Sequence, residues 1–298
     1  MTAPTNPPAH PVAEHGSTDA MDKMKKRARA LKMRSALELS EQVKVMADGS
    51  RMFVRFSRGE IMEHWILLVS FSILGLTGLL QRYAAIYVIG LVINVVFGGI
   101  DTLRVIHHMA AIVFGLQSIY HGFKILYFWF VKREPGAMFP MVKDITDMLG
   151  MIKYNAGFAK ERPKFDRYTV EEKLEYWALI WGTVVMSLTG LMQWFPTVTT
   201  QYLPGEAIPI ARVAHSLEAV LAVAAIIMWH MYHSVIKEHN TSIFTGFMDE
   251  HEMQENHPLE YERILAAYEY VQKVKSGHDA RHAAHPTVDQ HSTGSSAD

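Results

Sequence analysis

Residues 215–236 read HSLEAVLAVAAIIMWHMYHSVI, a long apolar run with a histidine near each end. About 20 apolar residues is what a helix needs to cross the hydrocarbon core of a bilayer. An ionisable side chain at that depth is costly and asks for a functional reason. His215 and His230 are fifteen residues apart, which on a helix is a rise of about 22 Å and an azimuthal difference of about 60°. Both can therefore face the same side, at two depths.

Working outward, three further stretches are long and apolar enough to span, at 62–81, 103–131 and 174–195, with the quoted one running over 208–236. The segment 83–99 (YAAIYVIGLVINVVFGG) is shorter and broken by Gly90, Gly98 and Gly99; it reads as an interfacial or re-entrant helix. Residues 1–52 are polar, with a basic amphipathic helix expected around Met24–Arg34 after a disordered start. The first 20 residues have no apolar core, so no cleavable signal peptide is expected. Residues 238–298 are polar again, with an amphipathic helix over Leu259–Lys275 and a His- and Ser-rich tail expected to be disordered. No internal repeat is apparent. The expected fold is an all-α integral-membrane protein: a four-helix bundle over 53–237, an interfacial helix, and cytoplasmic extensions at 1–52 and 238–298.

Lysine and arginine set the expected orientation, because cytoplasmic loops carry them in excess near span ends. They crowd the approach to the first span (Lys44, Arg51, Arg55, Arg58) and the 132–168 connection (Lys132, Arg133, Lys143, Lys153, Lys160, Arg162, Lys164, Arg167). The other connections offer little beyond Arg82, Arg104 and Arg212. Both termini and the central loop are thus expected in the cytoplasm, with an even number of spans.

The chain of 298 residues has 16 histidines, 18 methionines, a net charge of −1 and no cysteine. Without cysteine there is no disulfide, no covalently attached c-type haem and no Cys-ligated iron–sulfur cluster. Nothing in this charge balance suggests nucleic acid. Any redox cofactor must be held by histidine, methionine or packing. His107 lies near the outer start of the second span and His121 half-way down it; His64 lies near the inner start of the first. The depths match: His107 with His215 outside, and His230 inside with either His64 or His121. Imidazoles facing across a bundle at two levels are what two bis-histidine haems require. Gly75, Gly78, Gly182, Gly190, Ala110, Ala111 and Ala219 leave room for a macrocycle, and serve tight helix packing equally well. His108 and His233 point elsewhere and read as structural.

Four stretches carry a resemblance: RFSRGEIMEHW (55–65), LRVIHHMAA (103–111), KYNAG (153–157), and HSLEAV with WHMY (215–220 and 229–232). The tail SIFTGFMDEHEMQENHPLEYERI adds to it. Over about 53–275 the chain resembles the cytochrome b (gamma) subunit of membrane-bound formate dehydrogenase, and more broadly the di-haem cytochromes of hydrogenases and thiosulfate reductases. The resemblance implies an outer haem b on His107 and His215, and an inner haem b on His64 and His230. His121 remains the alternative inner ligand, since bc-type cytochromes pair histidines about fourteen apart on two helices. The resemblance also implies a quinone, menaquinone in that family, contacted by Asn155 and Gly157 of the KYNAG motif. Two departures stand out. The His215–His230 spacing is one residue longer than in the family, which a local bulge or a shifted helix start would absorb. About ten extra residues, 158–168, separate KYNAG from the third span, so that YTVEEKLEYW takes the motif's usual place.

The function expected is electron transfer between an outer-face partner, carrying iron–sulfur clusters or multihaem cytochrome c, and a quinone near the cytoplasmic face of a bacterial or archaeal inner membrane. Glu63, the Glu171–Glu172 pair and the surroundings of His230 are candidates for proton delivery. Two other readings are a proton-relaying transporter or channel, and a haem-free anchor for a redox complex. The first predicts broken helices and midplane acids, whereas the spans lack proline breaks and the acids sit at their ends. The second leaves the matched histidine depths without a purpose.

Overall fold

Two matched capping boxes start two of the long helices. Ser57 accepts from the Glu60 backbone N–H while Glu60 reaches back to the Ser57 N–H; Thr169 and Glu172 do the same 112 residues later. Each satisfies backbone donors that a helix start would otherwise leave bare. The computed structural model describes residues 15–133, 136–237 and 239–284, with side chains from 23 to 277. The expected disordered ends lie largely outside those residues.

Contacts divide the chain into two compact units. The first comprises residues 1–44 and 262–298. Its described part contains helix α1 (His15–Ser40), which includes the expected Met24–Arg34 segment, and most of the C-terminal helix Pro258–Ala284, which includes Leu259–Lys275. Ala36, Val43, Ile264 and Val271 are its buried apolar residues.

The second unit, Val45–Tyr261, contains four helices long and apolar enough to cross a membrane. They are α2 (Arg58–Arg82), α4 (Ile100–Lys132), α6 (Val170–Trp194) and α8 (Ala207–Lys237). Between the first two lies α3 (Tyr87–Phe97), whose eleven residues rise only about 16 Å, short of a bilayer core. Gly98 stops it in the left-handed region at φ +73°. The helices α2 and α4 pack together, as do α6 and α8, and α2 also touches α8. These are the expected spans, lengthened at their ends by the polar caps. The architecture is an all-α membrane bundle.

Helix α2 is apolar outside and polar inside. In α2 the buried residues are Glu63, Ser70 and Thr77, seven apart, whereas Val69 and Leu76 are exposed. Lipid replaces water as the solvent, so leucine gains nothing by turning inward, and hydroxyls turn in where backbone can satisfy them. Ser70 and Thr77 donate to Ile66 O and Ile73 O, both at 2.6 Å.

The 132–168 connection is not a plain loop. It carries α5 (Val142–Asn155), tied to α6 by an ion pair from Lys173 to Asp144 at 2.7 Å and by the buried cluster Met151, Phe165 and Val170. Short elements follow the spans: α7 (Pro196–Tyr202), α9 (Ser242–Thr245) and α10 (Glu250–Asn256), then the start of α11 (Pro258–Ala284). The strand β1 (Val43–Val45) straddles the boundary of the units; β2 (Arg51–Val54) pairs antiparallel with β3 (Phe247–Asp249), Phe53 opposite Met248. These strands were not foreseen from sequence.

Arg55 and Arg167 precede the two capping boxes and meet on one carboxylate. Arg55 Nη1 donates to Glu260 Oε2 at 2.8 Å and Arg167 Nη1 to Glu260 Oε1 at 3.0 Å. Each guanidinium also donates to the other arginine's carbonyl oxygen. Burial opposes the charge on Arg167, but Tyr168 and Glu260 outweigh it and hold its pKa above the ordinary arginine value. The tail is thereby locked to the N-terminal ends of α2 and α6.

Candidate functional site

His107 of α4 and His215 of α8 face each other with ring centres 6.4 Å apart and planes at 72°. Each ring is held from behind by the neighbouring helix. Thr77 Oγ1 lies 2.8 Å from His107 Nδ1, and Thr189 Oγ1 lies 3.0 Å from His215 Nδ1. Each threonine hydroxyl has its one proton directed to a carbonyl a turn earlier, Ile73 O and Val185 O, both at 2.6 Å. The oxygen must then accept from the imidazole, so Nδ1 carries the hydrogen and Nε2 keeps a lone pair. Neither Nε2 makes a hydrogen bond among the described residues. Glycine lets the rings sit there: a Cβ on Gly78 would come 3.3 Å from His107 Cε1, and one on Gly190 3.2 Å from His215 Cε1.

This pair fits an iron held from both sides. Two imidazoles bound at about 2 Å, the usual metal–imidazole length, have ring centres about 6 Å apart. An anchored Nδ1–H with a free Nε2 is the arrangement of most metal-bound histidines.

Towards the N-terminal ends of α2 and α6, four titratable groups from α2, α4 and α6 form one chain. Lys124 Nζ donates to Glu63 Oε1 at 2.6 Å, Glu63 Oε2 meets His121 Nδ1 at 2.7 Å, and His121 Nε2 meets Tyr176 OH at 3.0 Å. Both nitrogens of His121 are therefore engaged. His230 differs: its Nδ1 meets Glu175 Oε2 at 2.8 Å, and its Nε2 makes no hydrogen bond among the described residues. His64 is an electrostatic neighbour of His230, lies edge-on to Phe244 at 5.8 Å, and has a buried Nδ1 without a partner. An orphaned buried nitrogen of this kind asks for an explanation such as a bound group.

A model of the family described as prokaryotic cytochrome b561 matches residues 55–246. The chain belongs to that family. It is also similar to the cytochrome b556(fdo) subunit of formate dehydrogenase from Escherichia coli strain K12, 22% identical over 214 residues that cover 71% of this chain and 92% of the relative. The counterparts from Escherichia coli O6:H1 and O157:H7 match to the same extent. The chain is thus a membrane cytochrome b of the electron-transfer type, and haem b is the cofactor its family implies.

The paired contacts expose an internal repeat, contrary to the expectation of none. Residues 55–82 recur 112 positions later as 167–194: RFS…E…EHW answers RYT…E…EYW, and LTGLLQ (76–81) answers LTGLMQ (188–193). Thr77 and Thr189, Gly78 and Gly190, Glu63 and Glu175 are equivalent pairs. Their targets on α4 and α8 are equivalent too, His107 with His215 and His121 with His230. The second interval is one residue longer, and α8 takes it up in a π-helical turn, Ile226–His230. Of the two ways to absorb the extra residue, a bulge or a shifted helix start, the helix shows the bulge. The repeat also pairs His64 with Tyr176, so one inner diagonal has two imidazoles and the other an imidazole and a phenol.

Other residues fall as follows. His108 stacks on Trp194 at 4.0 Å, and His233 is tied to Trp229 O, both structural. Asn155 ends α5 and Gly157 follows it at φ +78°; both are exposed. Glu172 serves as a helix cap and lies 3.7 Å from Arg55, while Glu171 keeps one buried oxygen without a partner. The acids are not all at the span ends: Glu218 lies half-buried within α8, its Oε1 3.0 Å from where a Cβ on Gly182 would stand. The reading of single histidines passed over Thr77, Thr189, Glu175, Tyr176 and Lys124. The repeated LTGL-x-Q and E-x-W were the signal that finds most of them.

Proposed function

We propose that this membrane cytochrome b binds two haems b and passes electrons between a redox partner at the outer face and a quinone near the cytoplasmic face. The observation that carries the reading is the His107–His215 pair, two tautomer-fixed imidazoles at 6.4 Å. Haem b, when bound, supplies a one-electron redox centre at each level. His107 and His215 would hold the outer one, anchored by Thr77 and Thr189. His64 and His230 would hold the inner one, with Glu175 orienting His230 and strengthening its basicity. His121, with both nitrogens engaged by Glu63 and Tyr176, is the weaker candidate.

Reducing a quinone takes two electrons and two protons. The Lys124–Glu63–His121–Tyr176 chain supports delivery of protons from the inner side, because it joins four titratable side chains by hydrogen bonds at that level. Asn155 and Gly157 are proposed quinone contacts on the strength of the family resemblance alone, the quinone being menaquinone on the same basis. The partner is proposed to bring iron–sulfur clusters or c-type haems, since this chain has no cysteine. Both termini are proposed to be cytoplasmic, by the distribution of lysine and arginine, in a bacterial or archaeal inner membrane. The similarity to a formate dehydrogenase subunit supports a complex with a dehydrogenase.

The test is a dithionite-reduced minus oxidised spectrum and a haem count on the purified chain. Two b haems per chain are expected, falling to one in His107→Leu and in His215→Leu. No haem in the unaltered chain, or two in both variants, would overturn the assignment.

A further inference from the structure

Helix α1 lies outside residues 55–246 matched by the family, and the electron-transfer reading gives it no task. Between positions 23 and 34 it reads KMKKRARALKMR, seven basic residues without an acid. All side chains from 23 to 32 are exposed. Lys32 rests over the Tyr270 ring at 5.8 Å and Arg34 pairs with Glu38 at 3.1 Å. Lys25, Lys26, Arg27 and Arg29 have no ion-pair partner among the described residues.

The same stretch carries large apolar side chains that the protein does not cover. Met24 is 71% exposed and Leu31 64%, whereas Ala36 is buried. Positions 24, 28 and 31 form one stripe on a helix, and Leu31 lies about 140° around from Ala36. Arginine and lysine flank the stripe on both sides. A narrow apolar stripe between cations suits a helix lying at a lipid headgroup boundary, where methylenes enter the acyl region and cations meet phosphates. A purely solvated helix gains nothing from Met24 and Leu31.

We propose that Lys23–Arg34 docks on the anionic phospholipid surface of the membrane that holds the four spans. Met24, Ala28 and Leu31 enter the headgroup boundary, and Lys25, Lys26, Arg27 and Arg29 meet lipid phosphates. The surface is always within reach: residues 41–57 separate α1 from α2, at most about 60 Å of chain. A tether of that length makes docking effectively intramolecular.

The absence of cysteine makes the test clean. The full-length Leu31→Cys protein, labelled with an environment-sensitive dye, is placed in nanodiscs of phosphatidylcholine alone or with added phosphatidylglycerol. A blue shift is expected only with the anionic lipid, and high salt should reverse it. The added changes K25Q, K26Q, R27Q and R29Q should abolish it, each lost charge weakening surface partition about fivefold. An unaltered haem spectrum shows that the variant is intact, and the salt titration tests the idea without those changes. Identical emission in the two lipids, or a shift produced only by an oligonucleotide or an acidic polypeptide, would overturn the proposal.

Discussion

Thr77 Oγ1 lies 2.8 Å from the Nδ1 of His107 on a different helix, and Thr189 repeats the contact on His215 at 3.0 Å. The hydroxyl does two jobs, donating backward to its own helix and accepting from the ring. One tautomer and one ring orientation result, with no charged group in either contact.

Replacing Thr77 by valine keeps the shape and removes the acceptor. His107 then loses its anchor, and its Nδ1–H is left without a partner. Haem affinity at the outer level should fall about 10- to 100-fold, the usual cost of losing a residue that orients a metal-bound histidine. Titrating haem into the depleted chain measures it. The inner haem should be unaffected, and Thr189→Val should give the same result through His215. Unchanged affinity in both variants would show that the threonines do not support the ligands.

The two inner diagonals make opposite predictions. His230→Leu removes an imidazole whose Nε2 is free and whose Nδ1 is held by Glu175 at 2.8 Å; one haem should be lost. His121→Leu removes an imidazole with both nitrogens engaged; both haems should remain. Haem content per chain, read from the pyridine haemochrome, separates the outcomes. Loss of a haem on changing His121 would reverse the ligand assignment.

Much of this was legible in the sequence, and what was missed has a common cause. Apolar length marked the four spans, because a bilayer demands about 20 residues whatever the neighbours. Matched depths singled out His107 and His215, because helix rise is fixed. Whether His121 keeps a free ring nitrogen depended on side chains from two other helices, Glu63 of α2 and Tyr176 of α6, and depth alone could not show it. The repeat linking 55–82 with 167–194 was hidden because lipid-facing positions tolerate most apolar residues. The inward Glu63, Thr77 and Gly78 keep their letters in the second copy, and so do a few exposed positions such as Trp65 and Leu76, but most of the apolar letters between them have changed. The tail was read as a polar extension, yet Glu260 and His257 are buried within it. A charged residue next to an apolar one does not reveal that two arginines some 93 and 205 residues away will converge on it.

Glu260 is 2% exposed and carries the charge that balances Arg55 and Arg167. Glu260→Ala leaves two guanidinium groups facing each other, Arg55 being 1% exposed. Breaking a buried pair by removing one partner costs about 3–5 kcal/mol. The tail should come loose from β2 and the span entrances while the histidine pairs, deeper in the bundle, persist. Proteolysis of residues 240–261 should therefore accelerate at unchanged haem content. Equal cleavage rates in the two proteins would show that the clamp does not hold the tail.

His257 makes the tail's attachment sensitive to acid. It is 1% exposed and its Nδ1–H donates to Asp166 O at 2.8 Å. Burial first, and then the positive charge of Arg55, lower its pKa from 6.5 to about 3. Because the unfolded tail takes up this proton near pH 6.5 and the folded tail only near 3, the attachment is at full strength above about pH 6.5. It weakens as the pH falls from there towards 3, by up to about tenfold in the folding equilibrium per pH unit. Thermal unfolding followed by circular dichroism between pH 7.5 and 4 should show the midpoint falling with pH. In His257→Gln, which keeps a donor for Asp166 O but cannot be protonated, the fall should be shallower. Carboxylates elsewhere in the protein also take up protons as the pH falls, so the comparison of the two slopes, rather than either alone, decides it; parallel slopes would remove His257 from the account.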